Sequence, residues 1–190
     1  MSGDDVRGTS QESRFRLMFD GHFRSIHAYA IRRVGSGDDA GDVVAEVFAT
    51  AWRRIDEVPE PPEDLLWLYG VARRTVAQHW RSAGRRGRLV DRLKMVRIAS
   101  PDLSPSDDAT YDDLFEAMGR LSPDDREALQ LVIWEHLSHA EAALVLECSI
   151  NAVAIRVHRA KGRLRTELNS EANSRDVPDV ESDPANPTRS

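Results

Sequence analysis

The sequence predicts an all-α protein with two small helical domains joined by a flexible linker, the C-terminal one containing a helix-turn-helix. Apolar residues recur at helical spacing through most of the chain, and no window alternates apolar and polar residues as a half-buried strand does. Residues 100–108, SPDLSPSDD, interrupt this pattern with proline, serine and aspartate. Near the C-terminus, serines able to cap helices precede two closely spaced apolar segments.

The N-terminal domain is predicted to span residues 15–86, after a disordered segment at residues 1–14. Apolar periodicity predicts three helices, at about 12–34, 38–57 and 63–82 or beyond. Gly35-Ser36-Gly37 ends the first helix. The stretch from Val58 to Pro62 separates the second from the third, because consecutive prolines lack amide donors and hold the preceding residues extended.

The C-terminal domain is predicted at residues 111–168, after a linker at 87–110 and before a disordered tail at 169–190. Four helices fit in this domain. Ser122 caps one of them, with Pro123 at its first position, and Ser138 with Glu141 forms a capping box for the next. The tail is rich in serine, asparagine, aspartate and proline and shows no apolar period.

The last helix is predicted to have one buried and one free face. Its buried stripe consists of Val153, Val157, Ala160, Leu164 and Leu168. The free face is flanked by arginine and lysine, and no acid occurs between Ile150 and Thr166. A short capped helix followed by a basic helix is suited to the major groove of DNA.

The charge distribution also favours a nucleic-acid partner, although the formal net charge is −6. The stretch from Arg73 to Arg97 holds nine basic residues against Asp91 alone, and the stretch from Ile150 to Arg165 holds five against none. Two basic segments in an acidic chain indicate two sites for one polyanion.

Several classes of protein are disfavoured. The single cysteine, Cys148, forms no intramolecular disulfide and no cysteine metal cage. A metal site is not evident at the histidines and acids near the start of the helix-turn-helix, because no third ligand is evident beside them; these residues are Glu135, His136, His139 and Glu141. The sequence contains no glycine-rich phosphate loop after a strand and no nucleophile elbow. We therefore expect no enzyme, no cofactor and no metal site. A polar start and the lack of an apolar run near 20 residues predict a cytoplasmic protein.

Three sequence blocks together resemble the extracytoplasmic-function (ECF) sigma factors, initiation subunits of bacterial RNA polymerase. They are DVVAEVF at 42–48 with Ala51-Trp52, WLYGVARR at 67–74, and LSPDDREAL at 121–129 leading to RVHRA at 156–160. The resemblance covers about Phe15 to Leu168. It implies an N-terminal region 2, which binds core polymerase and melts the −10 element, and a C-terminal region 4, which reads the −35 element.

The resemblance also implies functional residues. Core-polymerase contacts fall on Asp42, Val43, Glu46 and Val47. Contacts with the −10 strand fall on Pro59, Glu60, Asp64, Arg73, Arg74, Gln78 and Arg81, and contacts with the −35 duplex fall on Ser149, Asn151, Ala154, Ile155, His158, Arg159 and Arg163. In this reading Arg159 bonds guanine bidentately.

Departures from the family pattern define what else to expect. Ala45 replaces a common glutamine, and Ala154 with Ile155 replaces a polar pair, which favours contact with thymine methyl groups or shape readout. Glu147 replaces the usual turn glycine, at about 1 kcal/mol if it needs positive φ. Trp67 and Tyr69 are expected in the core rather than under bases.

The implied function is promoter-specific transcription initiation, by reading −35 and melting −10 DNA on core polymerase, with an anti-sigma factor as a further possible partner. One alternative is a conventional helix-turn-helix regulator, which would dimerise on a palindromic site without polymerase. Another is a sigma-like adaptor that has lost DNA recognition. Co-purification with core polymerase discriminates the first alternative from a sigma factor.

Overall fold

The computed structural model describes residues 3–86, 114 and 116–175, with side chains at 8–82, 114 and 116–169. The predicted linker at 87–110 and the end of the predicted tail, 176–190, lie outside the described residues. Every regular element within the described ranges is helical, as predicted. None of these helices is long and apolar enough to cross a membrane.

The N-terminal unit, residues 3–86, consists of α1 (Gly3–Val34), α2 (Gly37–Arg53), a short 3₁₀ helix (Ile55–Glu57) and α3 (Glu63–Arg86). Ser36 caps α2 by accepting a hydrogen bond from the amide of Asp39. The prediction of disorder at 1–14 is wrong for residues 3–14, which form the first turns of α1. Tertiary contacts stabilise these turns: the Gln11 amide donates to the Asp56 carboxylate at 2.9 Å.

Arg14, near the start of α1, fixes the backbone that leads into α3. Its Nη1 donates to the carbonyl of Ile55 at 3.0 Å, and its Nη2 donates to the carbonyls of Val58 and Pro59. The same guanidinium lies 3.1 Å from the carboxylate of Glu60. Arg14 therefore satisfies backbone acceptors in and beside the proline-rich turn, where acceptors outside regular helix would otherwise need water.

The C-terminal unit, residues 114–175, contains a helical stretch at 116–120, α4 (Pro123–Ile133), α5 (His139–Leu146) and α6 (Ile150–Arg175). The predicted caps are confirmed. Ser122 accepts from the amide of Asp125, and Ser138 and Glu141 form the reciprocal capping box of α5. Helix α6 runs to Arg175, so the prediction of disorder is wrong for residues 169–175.

The two units pack against each other through α1 with α4 and through α3 with α5. Buried Arg33 of α1 lies between two carboxylates of the C-terminal unit, 3.0 Å from Glu127 and 3.0 Å from Glu135. Arg32 also contacts Glu135, and the Tyr29 hydroxyl donates to Glu127 at 2.8 Å. We call these five residues the interdomain ion cluster. It joins the units by charge as well as by apolar packing.

Candidate nucleic-acid interface

Helices α5 and α6 and the turn between them form the predicted helix-turn-helix. The turn depends on Glu147, whose backbone is left-handed at φ 53° and ψ 45°. The amides of Glu147 and Cys148 donate back to the carbonyls of Leu144 and Ala143 and end α5. Ser149 then caps α6 by accepting from the amide of Ala152 at 3.1 Å. Glu147 thus has the positive φ on which the expected cost of a non-glycine residue depends.

The face of α6 that is predicted to contact DNA is available at the surface. Val153, Val157 and Ala160 are buried, which confirms the orientation of the helix. Six of the predicted −35 contacts are exposed, and Ala154 is half-buried; the exposed six are Ser149, Asn151, Ile155, His158, Arg159 and Arg163. Ile155 is 53% exposed, which suits an apolar contact in a groove.

Acidic residues at the start of α4 hold the arginines on one flank of α6. Asp125 receives two hydrogen bonds from Arg159, at 2.9 Å from Nε and 2.6 Å from Nη2, and Arg163 lies 3.8 Å away. Asp124 receives one from Arg156 at 3.2 Å. The hydrogen bonds from Arg159 hold the pKa of Asp125 below its ordinary value, and Asp125 raises the pKa of Arg159.

Helix α3 supplies the second basic surface. Arg74, Gln78 and Arg81 are exposed and recur at helical spacing, while Arg73 is half-buried. Arg74 is engaged by the C-terminal unit, because its Nη1 lies 2.6 Å from the carboxylate of Glu147 in the helix-turn-helix turn. A negatively charged strand on this face of α3 must therefore compete with Glu147 for Arg74.

The remaining predicted −10 contacts lie in the loop before α3 and in the first turn of α3. Glu60 is exposed and Pro59 half-buried, so both can be reached from solvent. Asp64 is buried, accepts from His22 Nε2 at 2.9 Å and accepts from the amide of Leu65. In this structure the Asp64 carboxylate joins α3 to α1 and is not accessible to a strand, so its predicted contact with the −10 strand stays a prediction.

Helix α2 presents an acidic edge above an apolar face. Asp42 and Glu46 are exposed, and Glu46 accepts hydrogen bonds from Arg53 at 2.7 Å and from Thr50, which hold its pKa below the ordinary value. Val43 and Val47 are 2% and 0% exposed. They belong to the core between α1, α2 and α3, so in this structure only Asp42 and Glu46 of the predicted set are accessible. The contact of Val43 and Val47 with core polymerase stays a prediction.

Known families match both units. The model described as Sigma-70 region 2 matches residues 18–86, and the model described as Sigma-70, region 4 matches residues 111–164. Together these cover more than half of the chain, in the order of the two units.

The chain belongs to the sigma-70 family, and within it to the ECF sigma factors.

Individual relatives agree with this assignment. The chain is 31% identical over 159 residues to the ECF RNA polymerase sigma factor BldN of Streptomyces coelicolor, over 79% of this chain and 60% of that protein. It is 29% identical to the ECF sigma factor EcfG of Rhodopseudomonas palustris, over 74% of this chain and 77% of that protein. The chain thus spans less than two thirds of the length of BldN.

A solved structure shares the fold. The sigma factor RpoE of Bartonella quintana, solved with the anti-sigma factor NepR, superposes with a TM-score of 0.62 at 26% identity. The match covers 82% of this chain and 96% of that one. The N-terminal unit is therefore region 2, and the C-terminal unit is region 4.

Three features of this sigma factor escaped the sequence analysis. One is the buried acid Asp125, signalled by its spacing of three and four residues from Ala128 and Leu129, since an acid on a buried face needs a cation. A second is the loop contact of Arg14. The third is an open aromatic groove along α1 and α2, where the ring centroids of Phe15 and Trp52 lie 5.3 Å apart and Trp52 is 46% exposed.

Proposed function

We propose that this protein binds core RNA polymerase and directs promoter-specific transcription initiation. Region 4 would contact the −35 duplex, and region 2 would hold a strand of the melted −10 element. The observation that carries the proposal is the pairing, in one chain, of an exposed helix-turn-helix with a second basic helix. A repressor needs only the first of these two surfaces.

The −35 contact rests on α6. Its exposed residues divide into a centre, formed by Asn151, Ile155, His158 and Arg159, and a cationic flank at Arg163. Base edges offer hydrogen-bonding groups and methyl groups that match the centre, and phosphates match the flank. Such an arrangement can both select a sequence and bind the backbone.

The −10 contact rests on α3 and the loop before it. Arg73, Arg74 and Arg81 supply cations and Gln78 supplies an amide, so the surface suits the backbone of an unpaired strand. The ring of the half-buried Trp67 lies against Arg54, whose Cζ is 5.8 Å from the ring centroid. Trp67 would therefore support the loop rather than stack on a base. Pro59 and Glu60 are the loop residues that remain accessible to an unstacked base.

The core-polymerase contact rests on α2. Asp42 and Glu46 form the accessible edge, while Val43 and Val47 hold the helix in place from below. Polymerase carries the catalytic chemistry of synthesis, so this subunit would contribute binding and strand separation only. We place its activity in the cytoplasm with polymerase, and we expect no resident cofactor.

An anti-sigma factor is the further partner that we propose. The relative from Bartonella quintana was solved with such a protein, and it covers the same two regions as this chain. Regions 2 and 4 contact each other here, so one partner can reach both at once.

Reconstitution with core polymerase tests the proposal. The double variant Asp42→Lys/Glu46→Lys should weaken polymerase binding in a titration, because it reverses the accessible edge of α2. Asp179→Lys/Glu181→Lys is the charge-matched control outside the described residues and should bind as wild type does. Equal affinity for all three proteins would contradict the assignment of this edge.

Transcription from a genomic DNA library by the reconstituted holoenzyme tests the function itself. The expected result is a set of transcripts whose start sites share two upstream elements. Tight binding of the free protein to a palindrome, with no effect on polymerase, would instead establish a conventional regulator.

A further inference from the structure

The buried acid at the start of α4 has a geometry that bears on how α6 contacts bases. Asp125 is 1% exposed, although it lies in the first turn of a helix at the protein surface. Its carboxylate faces Arg159 and Arg163 of α6, and its own amide donates to Ser122. A buried carboxylate needs paired hydrogen bonds, and Arg159 provides two.

The two hydrogen bonds use one particular edge of the Arg159 guanidinium. Oδ2 accepts from Nε and Oδ1 accepts from Nη2, so the carboxylate occupies the side edge of the group. A guanidinium has five N–H donors in one plane. Both protons of Nη1 and the second proton of Nη2 therefore remain for another acceptor. One proton of Nη1 and the remaining proton of Nη2 point in parallel away from the side chain and define the end edge.

The Arg159 side chain as a whole is accessible. The Arg159 side chain is 51% exposed, whereas the carboxylate that grips it is closed to solvent. The end edge of arginine presents two parallel donors, which match the O6 and N7 acceptors of guanine in the major groove. Asp125 removes the rotational freedom of the long side chain before DNA arrives, which lowers the entropy cost of that contact.

We infer that Asp125 is a positioning residue, which fixes the end edge of Arg159 for bidentate recognition of one guanine in the −35 element. The inference rests on the proposed −35 contact of region 4 and deepens it. It also reconciles the ion pair with base recognition, since Asp125 and guanine use different edges of the same guanidinium.

The neighbouring acid provides a matched comparison. Asp124 is the preceding residue, is 62% exposed in its side chain, and makes a single hydrogen bond to Arg156. It lies in the same helical turn and has the same charge, but it does not form a two-bond contact with an arginine guanidinium. A role in the overall electrostatics of this helix end would be shared by both acids, whereas positioning of Arg159 belongs to Asp125 alone.

The experiment uses the full-length protein in the reconstituted holoenzyme. Wild-type holoenzyme first selects duplexes from a library randomised over the −35 element. Competition binding then compares the selected duplex with single-base substitutions at each position, for wild type, Asp125→Asn, Asp124→Asn, Arg159→Ala and Asp125→Asn/Arg159→Ala. The readout is the ratio of two affinities within one preparation, so it does not depend on the folded fraction.

The expected result is a loss of guanine preference at one position in Asp125→Asn. Asparagine keeps one acceptor oxygen but places an amide donor opposite an N–H of the Arg159 guanidinium. The two donors repel each other, so the guanidinium loses its fixed orientation. Arg159→Ala should lose roughly fivefold to a hundredfold preference at that same position, and Asp125→Asn a smaller part of it. The double variant should match Arg159→Ala, because Asp125 acts through Arg159, and Asp124→Asn should keep the wild-type preference.

Two results would overturn the inference while leaving the proposed function intact. One is an unchanged guanine preference in Asp125→Asn together with a lower melting temperature, which makes the pair purely structural. The other is an equal loss of preference in Asp124→Asn. Failure of the wild-type holoenzyme to select any sequence would instead overturn the proposed −35 contact, and the inference with it.

Discussion

Removing one charge from the interdomain ion cluster should release region 4 from region 2. Glu135 has a side chain that is 2% exposed and pairs with Arg32 and Arg33 of α1. Glu135→Gln keeps the shape of the side chain but leaves Arg33 paired with Glu127 alone and removes the carboxylate that pairs with Arg32. Breaking a buried ion pair by removing one partner costs about 3–5 kcal/mol, and the remaining carboxylate favours the lower end of this range.

The cost falls on the contact between the regions because the charges lie on different units. About 3 kcal/mol shifts an equilibrium by more than a hundredfold. The cluster is also imperfect, since Arg32 Nε and Arg33 Nη2 are buried without a hydrogen-bond partner, each at about 1–3 kcal/mol. These penalties reduce the free energy that holds the two regions together. A population of molecules with separated regions is therefore expected in Glu135→Gln.

Intramolecular energy transfer measures this separation. Dyes are attached through Asp38→Cys and Lys161→Cys in a Cys148→Ser background, and the transfer efficiency should fall in Glu135→Gln. Glu116→Gln is the control, because Glu116 pairs with Arg120 inside region 4. An efficiency that stays at the wild-type value in Glu135→Gln would refute the claim that the ion cluster holds the regions together.

Three further predictions concern stability. Glu147→Gly should raise the melting temperature by about 2–4 °C in an Arg74→Met background, because glycine relieves about 1 kcal/mol of strain at the positive φ. The background removes Arg74, so the loss of its ion pair with Glu147 does not offset this gain. A lower melting temperature in that background would contradict the strain. Ser138→Ala should lower stability by about 1 kcal/mol in urea unfolding, with Ser13→Ala as a control that changes little. Burial raises the pKa of Tyr69 to about 12, so the unfolded state loses the phenol proton at a lower pH than the folded state does. The free energy of unfolding should therefore fall as the pH rises above about 10. Tyr69→Phe should show a smaller fall over this range, and a fall identical to that of the wild type would contradict the raised pKa.

Local signals predicted the helices and their caps with good accuracy. Ser122, Ser138 and the apolar stripe of α6 depend on neighbours within one or two turns, so their roles follow from spacing alone. The helix ends were less predictable. Residues 3–14 have a polar composition typical of disorder, and they fold because Gln11 and Arg14 reach residues more than forty positions away.

Three predicted contact residues that the structure buries share one physical origin for their burial. Val43, Val47 and Asp64 lie in sequence beside accessible residues, but packing of α1 against α2 and α3 buries them. One helix has several faces, and periodicity alone does not state how many are covered by neighbours. The fork between Asp125 and Arg159 joins residues 34 positions apart, so it depends on the packing of α4 against α6.

The hydrogen bonds of Arg14 make the loop before α3 a preformed frame. Three backbone carbonyls between residues 55 and 59 already accept hydrogen bonds from Arg14 of α1, and Glu60 pairs with the same guanidinium. These contacts hold Pro59 and Glu60 in one arrangement in the absence of any nucleotide. A base that enters this frame does not have to order it, so the conformational entropy of the loop is lost during folding and not during promoter opening. Under the proposed −10 contact, the first turns of α1 should therefore influence the rate of strand capture through Arg14 and this loop. Shortening the chain past Arg14 would leave every proposed promoter contact in place and still slow the opening step.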